Sequence, residues 1–397
     1  MKKKKVLLAF SGGLDTSYCA IYLSKEKGYE VHSAIVNTGG FDSQELTKIE
    51  EKAKSLGVTN HYTLEETETY YSEIVKYLVF GNVLRNNTYP LSVSSERVHQ
   101  AIALVQKAKA INADAIAHGS TGAGNDQIRF DLLIQLLDPT MEIITPIRDQ
   151  KLSREEEINY LIANGINSSW EKSKYSINKG LWGTSIGGDE TLTSHLSLPN
   201  EAYTHQNIEQ PPLELSIQFK EGELVGINDE PISPIKGIKL IDKIGKQYGI
   251  GRDTHVGDTI IGLKGRVGFE APAALMIIKA HELLEKHTLT KWQIHWKEQL
   301  GNWYGMFLHE AKFLDPVMRN IEAFLESTQK NVSGKVHLKL HPNHFQLLGV
   351  SSDNDLMNNQ FGTYGEMNKT WSAEDVKGFI KIESNALKIF HQTNTLS

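Results

Sequence analysis

Near its N-terminus the chain passes from a short apolar run, Val6-Leu7-Leu8-Ala9-Phe10, straight into Ser11-Gly12-Gly13-Leu14-Asp15-Thr16-Ser17. A short apolar run bounded by a turn signal reads as a buried strand. The residues that follow, Thr16–Lys25, put Tyr18, Ile21 and Tyr22 on one helical face. Paired glycines let the backbone turn with φ values that other residues resist. Main-chain N–H groups in such a turn, together with the N-terminus of the next helix, make a pocket for oxyanions. Ser11, Thr16 and Ser17 add hydroxyl donors. No Gly-Lys-Ser/Thr follows, so this is not a Walker A loop. Ser-Gly-Gly alone is common in turns; the specificity comes from its place between strand and helix, with an aspartate and two hydroxyls in register.

The same alternation continues over the first 150 residues. Val31–Val36 and His61–Leu64 read as strands, with Ser43–Leu56 a charged amphipathic helix between them. A long helical region, a loop around Asn86–Ser95 and a helix through Glu96–Ala110 come next, and Ala113–His118 and Ile143–Pro146 supply two more strands. Strand and helix in repeated alternation predict an α/β fold, a parallel sheet with helices on both faces. Ligands then sit at the carboxyl ends of the strands, so the loops after Phe10, Val36 and His118 are the ones to examine. Ser153–Asn164 is a helix with Ser153 as N-cap and Glu155 to Glu157 in its first turn.

Beyond residue 166 the character changes. Residues 166–212 are rich in Ser, Thr, Gly and Asn and poor in apolar clusters, as in a loop-rich segment that lines a ligand. From Leu213 a mixed α+β region begins, with strand pairs at Leu215–Phe219 and Leu224–Ile227 and at Lys335–Leu340 and Gln346–Val350, and helices at Ile238–Tyr248 and Pro272–His287. The expected division is a parallel-sheet α/β domain over 1–167, a mixed α+β domain over 168–365, and a helical tail over 366–397. No internal repeat is visible.

Composition narrows the class. The net charge of -6 over 397 residues argues against a surface that grips nucleic acid throughout. Lys2 to Lys5 precede only five apolar residues, too few for a signal peptide, and no apolar run approaches the roughly 20 residues of a membrane span. The single cysteine, Cys19, excludes an internal disulfide framework. A cytoplasmic protein is the expectation.

The Ser11–Ser17 turn resembles the pyrophosphate loop of the ATP pyrophosphatase families, which cut ATP between the α and β phosphates and pass AMP to a carbonyl-type oxygen. A turn that cradles the departing pyrophosphate stabilises charge where it develops. The families that move sulfur onto tRNA, or draw ammonia from glutamine, use reactive cysteines. Cys19, inside the first helix, reads instead as a buried structural thiol. The nucleophile is therefore expected to arrive as a free amine.

A second stretch sharpens the resemblance. His118-Gly119-Ser120-Thr121-Gly122-Ala123-Gly124-Asn125-Asp126-Gln127-Ile128-Arg129 lacks the third glycine of a dinucleotide fingerprint, but offers Thr, Asn, Asp and Arg to a small zwitterion. It is similar to the second signature of the argininosuccinate synthase family, and the likeness runs on through Tyr175-Ser176, Leu181–Ser185, Gly251-Arg252 and the run to Glu270. That resemblance implies ATP-dependent condensation of citrulline with aspartate, with magnesium carried by ATP and a homotetrameric assembly. It implies ATP contacts from Ala9, Phe10, Ser11, Gly12, Gly13, Leu14, Asp15, Thr16, Ser17, Val36 and Gly119. Aspartate would be held by Thr121, Asn125 and Asp126, and citrulline by Tyr89, Ser94, Asn125, Arg129, Ser176 and Ser185. Asp15 is the candidate to touch magnesium; no dedicated protein metal site is expected, and no residue stands out as the general base.

Two positions depart from the family, which has a glutamate and a tyrosine on citrulline where this chain has Gly257 and Phe269. Loss of that carboxylate raises an alternative, a citrulline whose α-amino group is acylated. Otherwise Asp258 or another acid supplies the charge for free citrulline. Two rival readings of the whole chain are a tRNA-modifying adenylating ligase and a non-catalytic nucleotide sensor. His281-Glu282-Leu283-Leu284-Glu285 fails the zinc-protease spacing, with Glu285 where the second histidine belongs, and is expected to be helix surface. Trp292, Trp296, Trp303 and Tyr304 are expected to be packing residues, and His341 and His344 structural.

Overall fold

The computed structural model describes residues 3–122, 124–166, 175–358, 361–366 and 370–394. The expected domain boundary at 167/168, and Ala123 of the glycine-rich loop, lie outside the described residues.

The opening apolar run is the middle strand of the first sheet. β1 (Lys5–Ala9), β2 (Glu30–Asn37), β3 (Asn60–Glu65), β4 (Ala115–Ala117) and β5 (Glu142–Ile144) form a five-stranded parallel sheet in the order β3-β2-β1-β4-β5. Successive strand residues point to opposite faces, and β1 is apolar on both. Leu7 joins the larger core, with Ala34, Val36 and Ile116, while Val6 and Leu8 join Tyr18, Cys19, Leu23 and Leu161 beneath the helix Leu14–Ile21. This matches the α/β expectation. The chain builds outward from β1 through β2 and β3, then returns to lay β4 on the other side. The crevice between the carboxyl ends of β1 and β4 is therefore the topological switch point.

The second half is antiparallel. β6 (Ser176–Gly180), β7 (Gly183–Gly187), β11 (Arg252–Asp258) and β12 (Lys264–Glu270) form a four-stranded sheet in the order β11-β12-β7-β6, so the segment expected to be mostly loop contains a hairpin. The other strands, β8 (Leu213–Lys220), β9 (Glu223–Ile227), β10 (Glu230–Pro231), β13 (Gly334–His341) and β14 (His344–Ser351), make a five-stranded sheet in the order β10-β9-β8-β13-β14. One apolar core runs from Leu7 and Ile116 through Val98 and Leu104 to Trp182, Phe269, Ile277 and Leu338. That continuity holds the antiparallel β11-β12-β7-β6 sheet against the switch point.

Several local expectations need correction. The helix expected from Glu96 begins at Ser92 (Ser92–Ala110), so Ser94 is helical and not in a loop. It starts after Leu91 at φ 62, a left-handed conformation that a leucine rarely adopts. His281 and Glu285 are in the interior, not on a helix surface: Lys297 and Glu285 form an ion pair at 2.8 Å, both nearly fully buried, and His281 bonds to Asn82 and Gln329. Tyr304 packs as expected. Trp292, Trp296 and Trp303 do not; they stand on an exposed stripe of the helix Lys291–His309. The tail forms two helices, Ala373–Glu383 and Asn385–Asn394, with no buried residue in either. Among the described residues no helix is long and apolar enough to cross a membrane.

Candidate active site

The turn after β1 is tied by its own hydroxyls. Ser17 donates to the Gly13 carbonyl through its N–H at 3.0 Å and through Oγ at 2.6 Å, and Thr16 Oγ1 donates to the same oxygen at 3.3 Å. Gly12 sits at φ +76, where glycine alone is unstrained. Lys52, from the helix Ser43–Ser55, donates Nζ to the Gly12 carbonyl at 2.6 Å and places a cation behind the turn. No side chain caps the helix that follows. Its first-turn N–H groups are thus left for an anion.

The loop after β4 meets this turn. A Cβ on Gly119 would stand 3.1 Å from Asp15 Cβ and 3.2 Å from the Asp15 carbonyl carbon, so a side chain there would push the two segments apart by a few tenths of an ångström. Asp15 also faces Glu157, from the helix Arg154–Ala163. Burial and mutual repulsion push the Glu157 carboxyl above its ordinary range; burial raises Asp15 too. Glu157 Oε2 is buried without a hydrogen bond. Two crowded carboxyls beside an uncapped helix N-terminus are a donor set that suits a divalent cation. Cys19, fully buried, has its thiol raised further from ionisation by that burial, as expected of a structural thiol.

One step along the crevice, Asp126 accepts from two guanidiniums, Arg97 Nε at 2.9 Å and Arg129 Nη1 at 3.0 Å. Against the desolvation that would raise it, these cations hold the carboxyl of the half-buried Asp126 below its ordinary range. Asn125 Oδ1 accepts from the Ile260 N–H at 2.9 Å, which pins the β11–β12 connection over this loop. Thr121 is exposed at the rim. Asn125, Asp126 and Arg129 thus come together. Asp126 is already engaged by arginines, which the sequence did not indicate.

The residues expected for citrulline converge from four segments. Tyr89 is buried and its Oη accepts from Ser92 Oγ and the Val93 N–H, each at 3.3 Å, with Ser94 close by. The Tyr89 ring stacks on His255 at 5.3 Å and packs on Phe269 at 5.4 Å. Phe269 pairs in the sheet with Ser185, and Ser176, more exposed, lies one strand further out on β6. A Cβ at position 257 would stand 2.6 Å from His255 Nε2: the space that a larger residue there would need is filled by the histidine ring. Asp258, the acid considered in its place, is exposed and paired with Lys264 at 2.6 Å.

Sequence reading missed Arg85, Arg97, Glu96, Glu157, His255 and His309, since each lies outside the two signatures. Arg129 donates Nε to the His309 carbonyl at 3.1 Å and Nη2 to His309 Nδ1 at 3.2 Å. His309 is pushed down to about 3, by burial first and then by Arg129 and Arg85; the Asp258 carbonyl opposes this. Glu96, 2% exposed, is pushed up to about 8 by burial, with Arg97, Thr38 and Leu181 opposing. Gly180 is glycine because its Cα lies directly against that carboxyl.

Residues 5–167 match the arginosuccinate synthase N-terminal HUP domain, and residues 175–390 the arginosuccinate synthase C-terminal domain. The chain is 37% identical to the argininosuccinate synthase of Methanocaldococcus jannaschii, covering 94% of this chain and 95% of that protein. It is 37% identical to that of Dictyoglomus turgidum, over 96% of each chain, and 36% identical to that of Xylella fastidiosa, over 99% of each.

Proposed function

Because the chain belongs to the argininosuccinate synthase family, we propose that it joins citrulline to aspartate in arginine biosynthesis, converting ATP to AMP and pyrophosphate. The observation that carries this reading is the uncapped Ser11–Ser17 turn with Gly119 seated on Asp15, a cup at the switch point between β1 and β4. The full-length likeness to the named relatives favours free citrulline over an acylated form.

A ureido carbon resists attack because both nitrogens feed it electrons and its oxygen leaves poorly. The ureido oxygen therefore attacks the α-phosphorus of ATP, and pyrophosphate departs. The amine of aspartate then attacks the activated carbon, loses a proton, and AMP leaves with the former ureido oxygen. In this proposal the triphosphate rests on Ala9, Phe10, Ser11, Gly12, Gly13, Leu14, Asp15, Thr16 and Ser17, with Val36 and Gly119 beside the nucleotide. Lys52 behind the turn supports the negative charge that grows on the leaving pyrophosphate. Thr121, Asn125 and Asp126 face aspartate. Tyr89, Ser94, Asn125, Arg129, Ser176 and Ser185 line the ureido pocket. Magnesium carried by the phosphates would neutralise their charge; Asp15 is the side chain that would reach it, and a cation there relieves the crowding with Glu157. Holding three small substrates in order lowers the entropic barrier.

The two tail helices leave Phe379, Ile382, Leu387 and Phe390 more than half exposed. Exposed apolar surface of that extent supports self-association, and we propose that this chain forms a cytoplasmic homotetramer.

The test is product formation from ATP, aspartate and citrulline, with pyrophosphate and argininosuccinate measured together. Equal release of both, dependent on both amino acids, is expected. Pyrophosphate release that ignores citrulline and aspartate, or that needs tRNA, would overturn the proposal.

A further inference from the structure

Beside the proposed ureido pocket stands Arg85, a cation that no acid pairs among the described residues. Arg85 is half-buried, its Nε is in the interior without a hydrogen bond, and no carboxylate is in ion-pair contact with it among the described residues. The nearest acids, Glu310 and Asp258, act on it only at longer range and are bound to Lys312 and Lys264. Arg85 is fixed beside the pocket, because its backbone bridges that of Tyr89 and the next residue, Asn86, donates Nδ2 to the Val256 carbonyl at 3.3 Å.

His309 faces the same space. Its Nδ1 accepts from Arg129, which places the ring proton on Nε2; Nε2 is buried with no close hydrogen bond, and the Asp258 carbonyl is the acceptor that acts on the ring. His255 completes the group, stacked on Tyr89 and folded into the room left by Gly257. Arg85 acts electrostatically on both rings. A buried cation without a partner destabilises the folded chain, so Arg85 points to a ligand that supplies the acceptor, with the weakly engaged His309 Nε2–H as a second donor. Arg129 is poorly placed to answer alone, since Nε, Nη1 and Nη2 each already donate to His309 or Asp126.

We infer that Arg85, together with the Nε2–H of His309, forms the subsite for the α-carboxylate of the ureido substrate. Arg129 and His255 act as positioning residues: Arg129 fixes the His309 tautomer, and His255 holds the Tyr89 ring. The inference rests on the proposed citrulline–aspartate ligation and assigns specificity to residues outside both sequence signatures.

Steady-state kinetics with citrulline and with N-carbamoylputrescine, the same ureido chain without the carboxylate, test it. The wild type should favour citrulline by about a hundredfold in kcat/KM, the range of a charged hydrogen-bonded contact. Arg85→Gln should lose most of that preference through a citrulline KM raised about 10- to 100-fold, with kcat and the KM for ATP nearly unchanged. Arg85→Lys should recover part of it. The thermal midpoint of Arg85→Gln should equal or exceed that of the wild type, because an unpaired charge is removed; an arginine with a structural role would lower it. An unchanged preference in an active Arg85→Gln enzyme would overturn the subsite alone. A wild type that makes no argininosuccinate from citrulline would overturn the reaction, and the subsite with it.

Discussion

The proposed phosphate cup and the proposed ureido pocket are built in opposite ways. The cup is a single run of chain. A strand, two glycines and a helix N-terminus bring its donors together within Ala9–Ser17, and only Lys52 and Gly119 come from elsewhere. The pocket has no such segment. Tyr89, Asn125 and Arg129, Ser176 and Ser185, His255 and Phe269, and His309 reach it from five stretches joined by sheet pairing and side-chain contacts. A cup made of backbone tolerates change around it, because its geometry is set by local φ and ψ. A pocket made of side chains changes whenever one of its supports moves.

The largest effect should come from the cup itself. Gly12→Val forces a β-branched residue to φ +76 and should cut turnover by about 10²–10³, the cost of losing preorganised donors, while circular dichroism stays that of the wild type. Activity within twofold of the wild type would break the idea that the turn conformation matters. Next is the clasp on the two arginines. Asp126→Asn removes the charge between Arg97 and Arg129, and kcat/KM should fall about tenfold or more for both amino acids. If only aspartate is affected, the clasp does not extend to the ureido side.

Gly257→Glu sharpens the contrast further. Its Cβ would displace the His255 ring from the face of Tyr89. The citrulline KM should rise about fivefold, as expected for roughly 1 kcal/mol of lost packing, and the KM for ATP should stay put. A shift in the KM for ATP instead would show that cup and pocket are mechanically coupled.

The smallest effect concerns stability. Glu96 has a folded value of about 8 against an ordinary 4.5. Between those values the folded chain keeps a proton that the unfolded chain has lost, so stability falls as pH rises through that window and levels off above it. Glu96→Gln cannot ionise. Its thermal midpoint should exceed that of the wild type by roughly 2–4 °C near pH 8, with the gap closing toward pH 5. A gap independent of pH would mean that Glu96 titrates as an ordinary surface acid.

The parallel sheet and its switch point were legible because β1 is apolar on both faces and flanked by strong turn signals. Ser153 was legible as a cap, and its capping box with Glu156 is present. The hairpin of β6 and β7 was not, because its Ser, Thr, Gly and Asn carry little β signal, and it is held by pairing with β12. His281 and Glu285 read as surface because nothing local announces Lys297, which neutralises Glu285 in the interior.

By itself, then, the sequence determined the first half of this protein: a strand, a glycine turn and a helix whose N–H donors converge because neighbouring φ and ψ values put them there. Only the tertiary structure decided the end of the pocket, where Arg85 and His309 come from segments more than 200 residues apart yet share one space. Backbone turns are written in adjacent residues, whereas an unpaired charge becomes visible only once the chain has chosen what surrounds it.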